Sequence, residues 1–127
     1  MNAIDTNVLV RLLVRDQPRQ LDAAERFIAK GAWVSHVVLA ETAWVLDAVY
    51  ERSATQIGAA VERLLAHADL TLQDADVVAA ALGQFRAKPT LGFSDCLVLE
   101  VARKAGHVPL GTFDRQLGRV AGAQRLD

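Results

Sequence analysis

Asn2-Ala3-Ile4-Asp5-Thr6-Asn7 runs from a short strand candidate directly into an acid. The pattern returns late in the chain, in Val108-Pro109-Leu110-Gly111-Thr112-Phe113-Asp114, where another short strand candidate leads to another acid. Between these ends lie further strand candidates at Ala32–Ser35 and Leu70–Leu72, and a last one follows at Ala123–Leu126. Helical patterns separate them. Ile57, Ala60, Val61, Leu64 and Leu65 recur at helical spacing, as do Val78, Ala81, Leu82 and Phe85 after Asp74, a candidate N-cap. The second of these helices is expected to stop near Lys88, before Pro89. Leu21, Ala24 and Ile28 mark a shorter amphipathic helix that opens near Pro18 and ends at Gly31. Two more stretches, Val37 to Val49 and Cys96 to Ala102 with Gly106 closing it, are apolar nearly all round and predict helices buried on most faces. Short apolar strands alternating with helices give an α/β fold: one domain over residues 1–127, with a mainly parallel central sheet of about four to five short strands flanked by helices.

Composition agrees with a packed domain. Hydrophobic residues make up 52% of the 127, enough for a core without staples. No apolar run approaches the roughly 20 residues of a membrane span, and the first residues have no basic region of the kind that opens a signal peptide. Neither a membrane association nor a leader is expected. Cys96 is the one cysteine, so no internal disulfide is possible and a cytoplasmic location is the default. The net charge of −1 does not announce a nucleic-acid partner.

Four acids stand out by position. In open parallel sheets ligands bind beyond the carboxyl ends of the strands. Asp5 and Asp114 follow strand candidates, Asp95 opens an apolar helix in Gly92-Phe93-Ser94-Asp95-Cys96-Leu97, and Glu41 sits about a turn into the helix after the second strand. For Asp5, Asp95 and Asp114 the competing role is that of a helix N-cap, worth about 1 kcal/mol each. Thr6 and Ser94 are alternative caps for the same helices. Glu41 is flanked by Val37-Val38-Leu39-Ala40 and Ala43-Trp44-Val45-Leu46, a setting that predicts a buried carboxylate needing a cation, a proton or a water-filled cleft.

Carboxylates brought together repel, by about 4 kcal/mol for a pair roughly 4 Å apart at an effective dielectric near 20. Divalent ions or protonation must relieve such a cluster. An all-oxygen donor set favours Mg²⁺ or Mn²⁺ over Zn²⁺. His36, His67 and His107 are scattered and read as ordinary surface or turn residues, and Cys96, Trp33 and Trp44 read as core. Setting the four acids aside from fifteen leaves eleven against fourteen bases, a mildly basic remainder.

Asp5-Thr6-Asn7 after an opening strand, an acid in an early helix, Phe93-Ser94-Asp95-Cys96-Leu97, and Thr112-Phe113-Asp114 closing a strand together resemble the PIN-domain nucleases. Within that family, the size and spacing are similar to the VapC-type toxins of prokaryotic toxin–antitoxin pairs. The resemblance spans essentially the whole chain. It implies that Asp5 and Asp95 are metal ligands, that Glu41 and Asp114 complete the acidic site directly or through water, and that Thr6, Asn7 and Thr112 support it by hydrogen bonds. Many relatives carry a further acid three residues before the motif Asp, where this chain has Gly92. The resemblance also implies metal-dependent hydrolysis of RNA, often tRNA or ribosomal RNA, by one ion or two, with Glu41 or Asp114 orienting the water. It implies a homodimer and a small antitoxin partner. Arg11, Arg15, Arg115 and Arg119 lie near the acidic motifs in sequence and are candidates for RNA phosphate contacts, or else solvated helix faces.

Three other readings compete. A haloacid-dehalogenase-type phosphatase needs a second Asp where this chain has Asn7, and a response-regulator receiver needs a Lys after a late strand, where Thr112-Phe113-Asp114 stands. A catalytically silent PIN module that binds RNA or a protein partner is the alternative within the family.

Overall fold

The computed structural model describes residues 1–127. Polar side chains start three of its helices by accepting a backbone N–H that the helix leaves unpaired. Asp5 accepts from the Val8 N–H at 3.1 Å and begins α1, Thr6–Val14. Ser35 does the same for Val38 at the head of α3, His36–Ala48. Ser53 and Gln56 form a reciprocal capping box at α4, Ala54–Ala66. Helix α2, Pro18–Ile28, opens on a proline, whose missing N–H is no loss there.

The two remaining helices start differently. Asp74 precedes α5, Ala75–Ala87, as expected, but its side chain caps nothing. Its backbone lies in the left-handed region at φ 41°, and its carboxylate faces Lys104 at 3.6 Å. Helix α6, Phe93–Ala105, starts after Gly92 and ends at Gly106, whose φ of 84° glycine adopts without strain. Asp95 therefore lies inside the first turn of α6 and is not its cap.

The strands are short. Asn2–Ala3 (β1), Ala32–Val34 (β2) and Leu70–Leu72 (β3) form one parallel sheet in the order β1-β2-β3, with Ala3 opposite Trp33 and Ala32 opposite Leu70. Leu110–Thr112 (β4) and Ala123–Arg125 (β5) pair in parallel with each other, Leu110 opposite Ala123. The five parallel strands are thus divided three and two instead of forming one continuous ladder. β1 offers only two residues for pairing. β4 is entered through Pro109, which has no N–H to give, and has Gly111 at its middle.

A core of 25 buried residues unites the elements, with Leu9, Ala32, Val78 and Ala81 fully enclosed. α1 packs on α2 and α3, α3 on α4 and α6, and α5 lies against both α4 and α6. Leu110, Val120 and Ala123 bring the β4–β5 pair onto the same core. No helix is long and apolar enough to cross a membrane.

One expectation fails clearly. α3 is not buried on most faces: Val37 is 78% exposed and Trp44 62%. α1, α4 and α6 cover its inner sides, and nothing covers the outer one. α6 likewise leaves Val98 and Val101 open, and Trp33 stands partly exposed on β2. Neither tryptophan is a core anchor. Cys96 is enclosed as expected.

Candidate active site

Asp5 leaves the end of β1, where the Ile4 N–H still bonds to the Trp33 carbonyl at 3.2 Å. The cap bond from Val8 fixes one of its carboxylate oxygens and leaves the residue exposed. The next residue, Thr6, donates its hydroxyl to Glu41 Oε1, joining the start of α1 to the second turn of α3. Glu41 is exposed, which corrects the expectation of a buried carboxylate. It shares the uncovered face of α3 with Val37 and Trp44, four residues before it and three after.

The neighbouring turn of α3 holds α6 in place. Ser94 Oγ donates to the Ala40 carbonyl at 3.1 Å, so the residue before Asp95 is tied to the residue before Glu41. Ser94 therefore serves as a tether between helices and caps nothing. Asp95 follows in the first turn, where the partial positive charge of the helix end favours an anion. Even so, its carboxyl is held above the ordinary aspartate value, first by partial burial and second by the charge of Asp114. Asp114 lies two residues past β4 in a defined turn: its Oδ1 accepts from the Leu117 N–H at 2.7 Å, and its own N–H donates to Thr112 Oγ1 at 3.1 Å.

Hydrogen bonds thus link the segments of three of the acids, Asp5 adjoining Thr6, Thr6 bonding Glu41, and Ala40 bonding Ser94 beside Asp95, while Asp114 acts on Asp95 through its charge. None of the four enters an ion pair with a Lys or Arg. No three His, Cys, Asp or Glu side chains stand at a mutual spacing that would hold a metal ion. The donor set nevertheless fits a hard divalent cation in kind: oxygen ligands only, with no Lys or Arg paired to any of them.

The other expected site residues divide. The Thr6 hydroxyl donates to Glu41, and the Thr112 hydroxyl accepts from the Asp114 backbone N–H. Asn7 lines a groove of about 290 Å³ between α1 and α2, with Val8, Ala24 and Phe27. Arg11 is already engaged, at 2.9 Å from Asp16 and 2.7 Å from the Tyr50 hydroxyl. Arg15 ends α1 in the left-handed region and lines a cavity with Arg63 and His67, a helix length from Asp5. Arg115 and Arg119 are exposed and join no ion pair.

Sequence reasoning missed Trp44 and Arg52, which line a cleft that reaches Asp95. The signal was present at helical spacing: once Glu41 faces outward, Trp44 must do so too.

The sequence pattern of the family described as PIN domain matches residues 3–123. Comparison with the curated proteins and with the solved structures returned no match.

Proposed function

The chain belongs to the PIN-domain family, a fold generally used by nucleases, and from that premise we propose that it is a metal-dependent endoribonuclease, the toxin of a type II toxin–antitoxin pair. The observation that carries the catalytic reading is the pair of hydrogen bonds, Thr6 to Glu41 and Ser94 to the Ala40 carbonyl, that ties the segments carrying Asp5, Glu41 and Asp95 together. Asp114, just past the strand that follows α6, adds to the raised pKa of Asp95, and no Lys or Arg pairs with either. Like charges held together at a fold's working end are unfavourable unless a cation or proton relieves them.

Asp5, Asp95, Glu41 and Asp114 are the residues that would hold Mg²⁺ or Mn²⁺. Such an ion supplies charge neutralisation at the phosphate and lowers the pKa of bound water. The protein's own groups do the rest. The Thr6 hydroxyl fixes the direction of the Glu41 carboxylate, and the Thr112 hydroxyl and Leu117 N–H fix Asp114. Glu41 or Asp114 orients the attacking water. Arg115 and Arg119, free of acidic partners, draw the RNA backbone towards Asp114. The substrate class in this reading is tRNA or ribosomal RNA.

The toxin role rests on family resemblance, with two surfaces in its support. The α1–α2 groove, with Phe27 exposed on its wall, suits an apolar segment of a small antitoxin. Val98 and Val101, exposed on α6, suit a second copy in a homodimer. A second reading, the catalytically silent module, is favoured by the absence of any three acids at metal-holding spacing.

Incubation of total RNA with Mg²⁺ or Mn²⁺, beside EDTA and the Asp95→Asn variant, separates the two readings. Discrete fragments that require both the metal and Asp95 are expected. A folded protein that cuts nothing, or that cuts equally well with Asp95→Asn, overturns the nuclease reading.

A further inference from the structure

A cleft of about 330 Å³ opens beside Asp95, between the C-terminal half of α3, the start of α4 and the first turn of α6. Its floor is apolar and firm. Phe85 and Phe93 meet there edge to face, ring centroids 6.0 Å apart, with Ile57 beside them. Its rim is of another kind, carrying Trp44, Asp47, Arg52 and Asp95.

Two of those rim residues are unexplained by folding. Trp44 leaves 62% of its surface in solvent at the middle of a helix, although burial of a large aromatic ring is among the most favourable contributions a side chain makes. Arg52 follows Glu51, whose backbone is left-handed at φ 53°. It is half-buried, yet its guanidinium joins no ion pair and no side-chain hydrogen bond. An open aromatic face beside an uncommitted guanidinium is the chemistry that receives one unstacked nucleotide: the ring takes the base, the cation takes the phosphate. Asp47 repels phosphate, so the backbone is steered to Arg52 and the base to the exposed face of Trp44. A base can enter such a cleft only from a single strand or a loop.

We propose that this cleft is a nucleotide-recognition subsite, in which Trp44 stacks on the base and Arg52 holds the phosphate of a single-stranded nucleotide next to the bond placed at Asp95. The inference rests on the reading of Asp95 as part of a nuclease centre. Trp44 and Arg52 are positioning and specificity residues, and neither touches the reacting atoms.

The test is binding followed by cleavage. Trp33→Phe leaves Trp44 as the only tryptophan. Its emission is titrated with a fluorescein-labelled single-stranded oligoribonucleotide, and with the same strand in a duplex, in EDTA so that nothing is cut. Quenching by the single strand and not by the duplex is expected. By anisotropy, Trp44→Ala and Arg52→Ala are expected to bind about tenfold more weakly, within the range lost with one base–aromatic stack. In Mg²⁺ both raise KM, leave kcat nearly unchanged and relax the nucleotide preference at the cut. Unchanged emission and unchanged affinity overturn the subsite, even where the protein still cuts RNA. Quenching in a protein that never cuts RNA supports the subsite and removes the nuclease reading alone. Conversion of a dimer to a monomer by Trp44→Ala, with RNA affinity intact, overturns the proposal and assigns the face to self-association.

Discussion

Asp95 holds its proton more tightly in the folded chain than a free aspartate does, because it is partly desolvated and Asp114 lies near. A carboxyl whose folded pKa is raised binds more protons in the native state than in the unfolded one. Its contribution to stability is therefore greatest below the unfolded value of 3.8. That contribution falls as pH rises through 3.8 towards the raised folded value, and stays low above it. Asp95→Asn removes the ionisation. In metal-free buffer it is expected to match or exceed the wild type in thermal stability at neutral pH, and to lack this component of the acid-side slope. Melting curves between pH 3 and 7 check it; a variant less stable at pH 7 with the wild-type slope contradicts it. At this scale the sequence nominated the four acids by their positions after strands and before or within helices. It hid their surroundings. The flanking apolar residues made Glu41 look buried, whereas the structure leaves it exposed and bonded to Thr6. A one-dimensional pattern shows how apolar a helix is but not which of its sides has a neighbour to cover it.

Among the elements, α1 makes the double duty of a single residue measurable. Asp5 is both a candidate ligand and the N-cap that accepts from Val8. Asparagine caps about as well as aspartate, whereas alanine forfeits about 1 kcal/mol. Asp5→Asn is thus expected to keep wild-type stability and lose RNA cleavage, while Asp5→Ala loses cleavage and also about 1 kcal/mol in denaturant unfolding. Equal cleavage by Asp5→Asn and the wild type removes Asp5 from the centre and leaves it a cap. The helices with a clear 3.6-residue pattern, α2, α4 and α5, were legible to within a few residues, and Leu70–Leu72 was legible outright. α1 was expected only as the helix that Asp5 or Thr6 would cap; its extent was not legible, because Val8-Leu9-Val10 and Leu12-Leu13-Val14 surround one Arg and show no periodic face. The division of five strands into three and two was also out of reach. Pairing between β1 and β4 joins residues at opposite ends of the chain, and neither strand's own composition records whether the ladder closes.

Across the whole molecule, the proposed centre needs four carboxylates from separate parts of the fold to act as one. Hydrogen bonds and charge link them through Thr6, Ala40 and Ser94, while no three stand at metal-holding spacing. A divalent ion that draws them together binds the folded chain and not the unfolded one, and so raises stability by mass action, about 2.7 kcal/mol at a hundredfold excess over its Kd. The order of the acids along the chain, read with the helix and strand pattern, was enough to nominate the centre. The approach of Asp5, Glu41 and Asp95 depends on the packing of α3 on α1 and α6, which no local signal carries.

The most direct measurement is the melting temperature with Mn²⁺ titrated into the wild type and into Asp95→Asn, Asp114→Asn and Glu41→Gln. One centre predicts a saturable rise for the wild type that is blunted in all three variants. A wild type that Mn²⁺ does not stabilise, or variants that respond as it does, would contradict a shared metal centre.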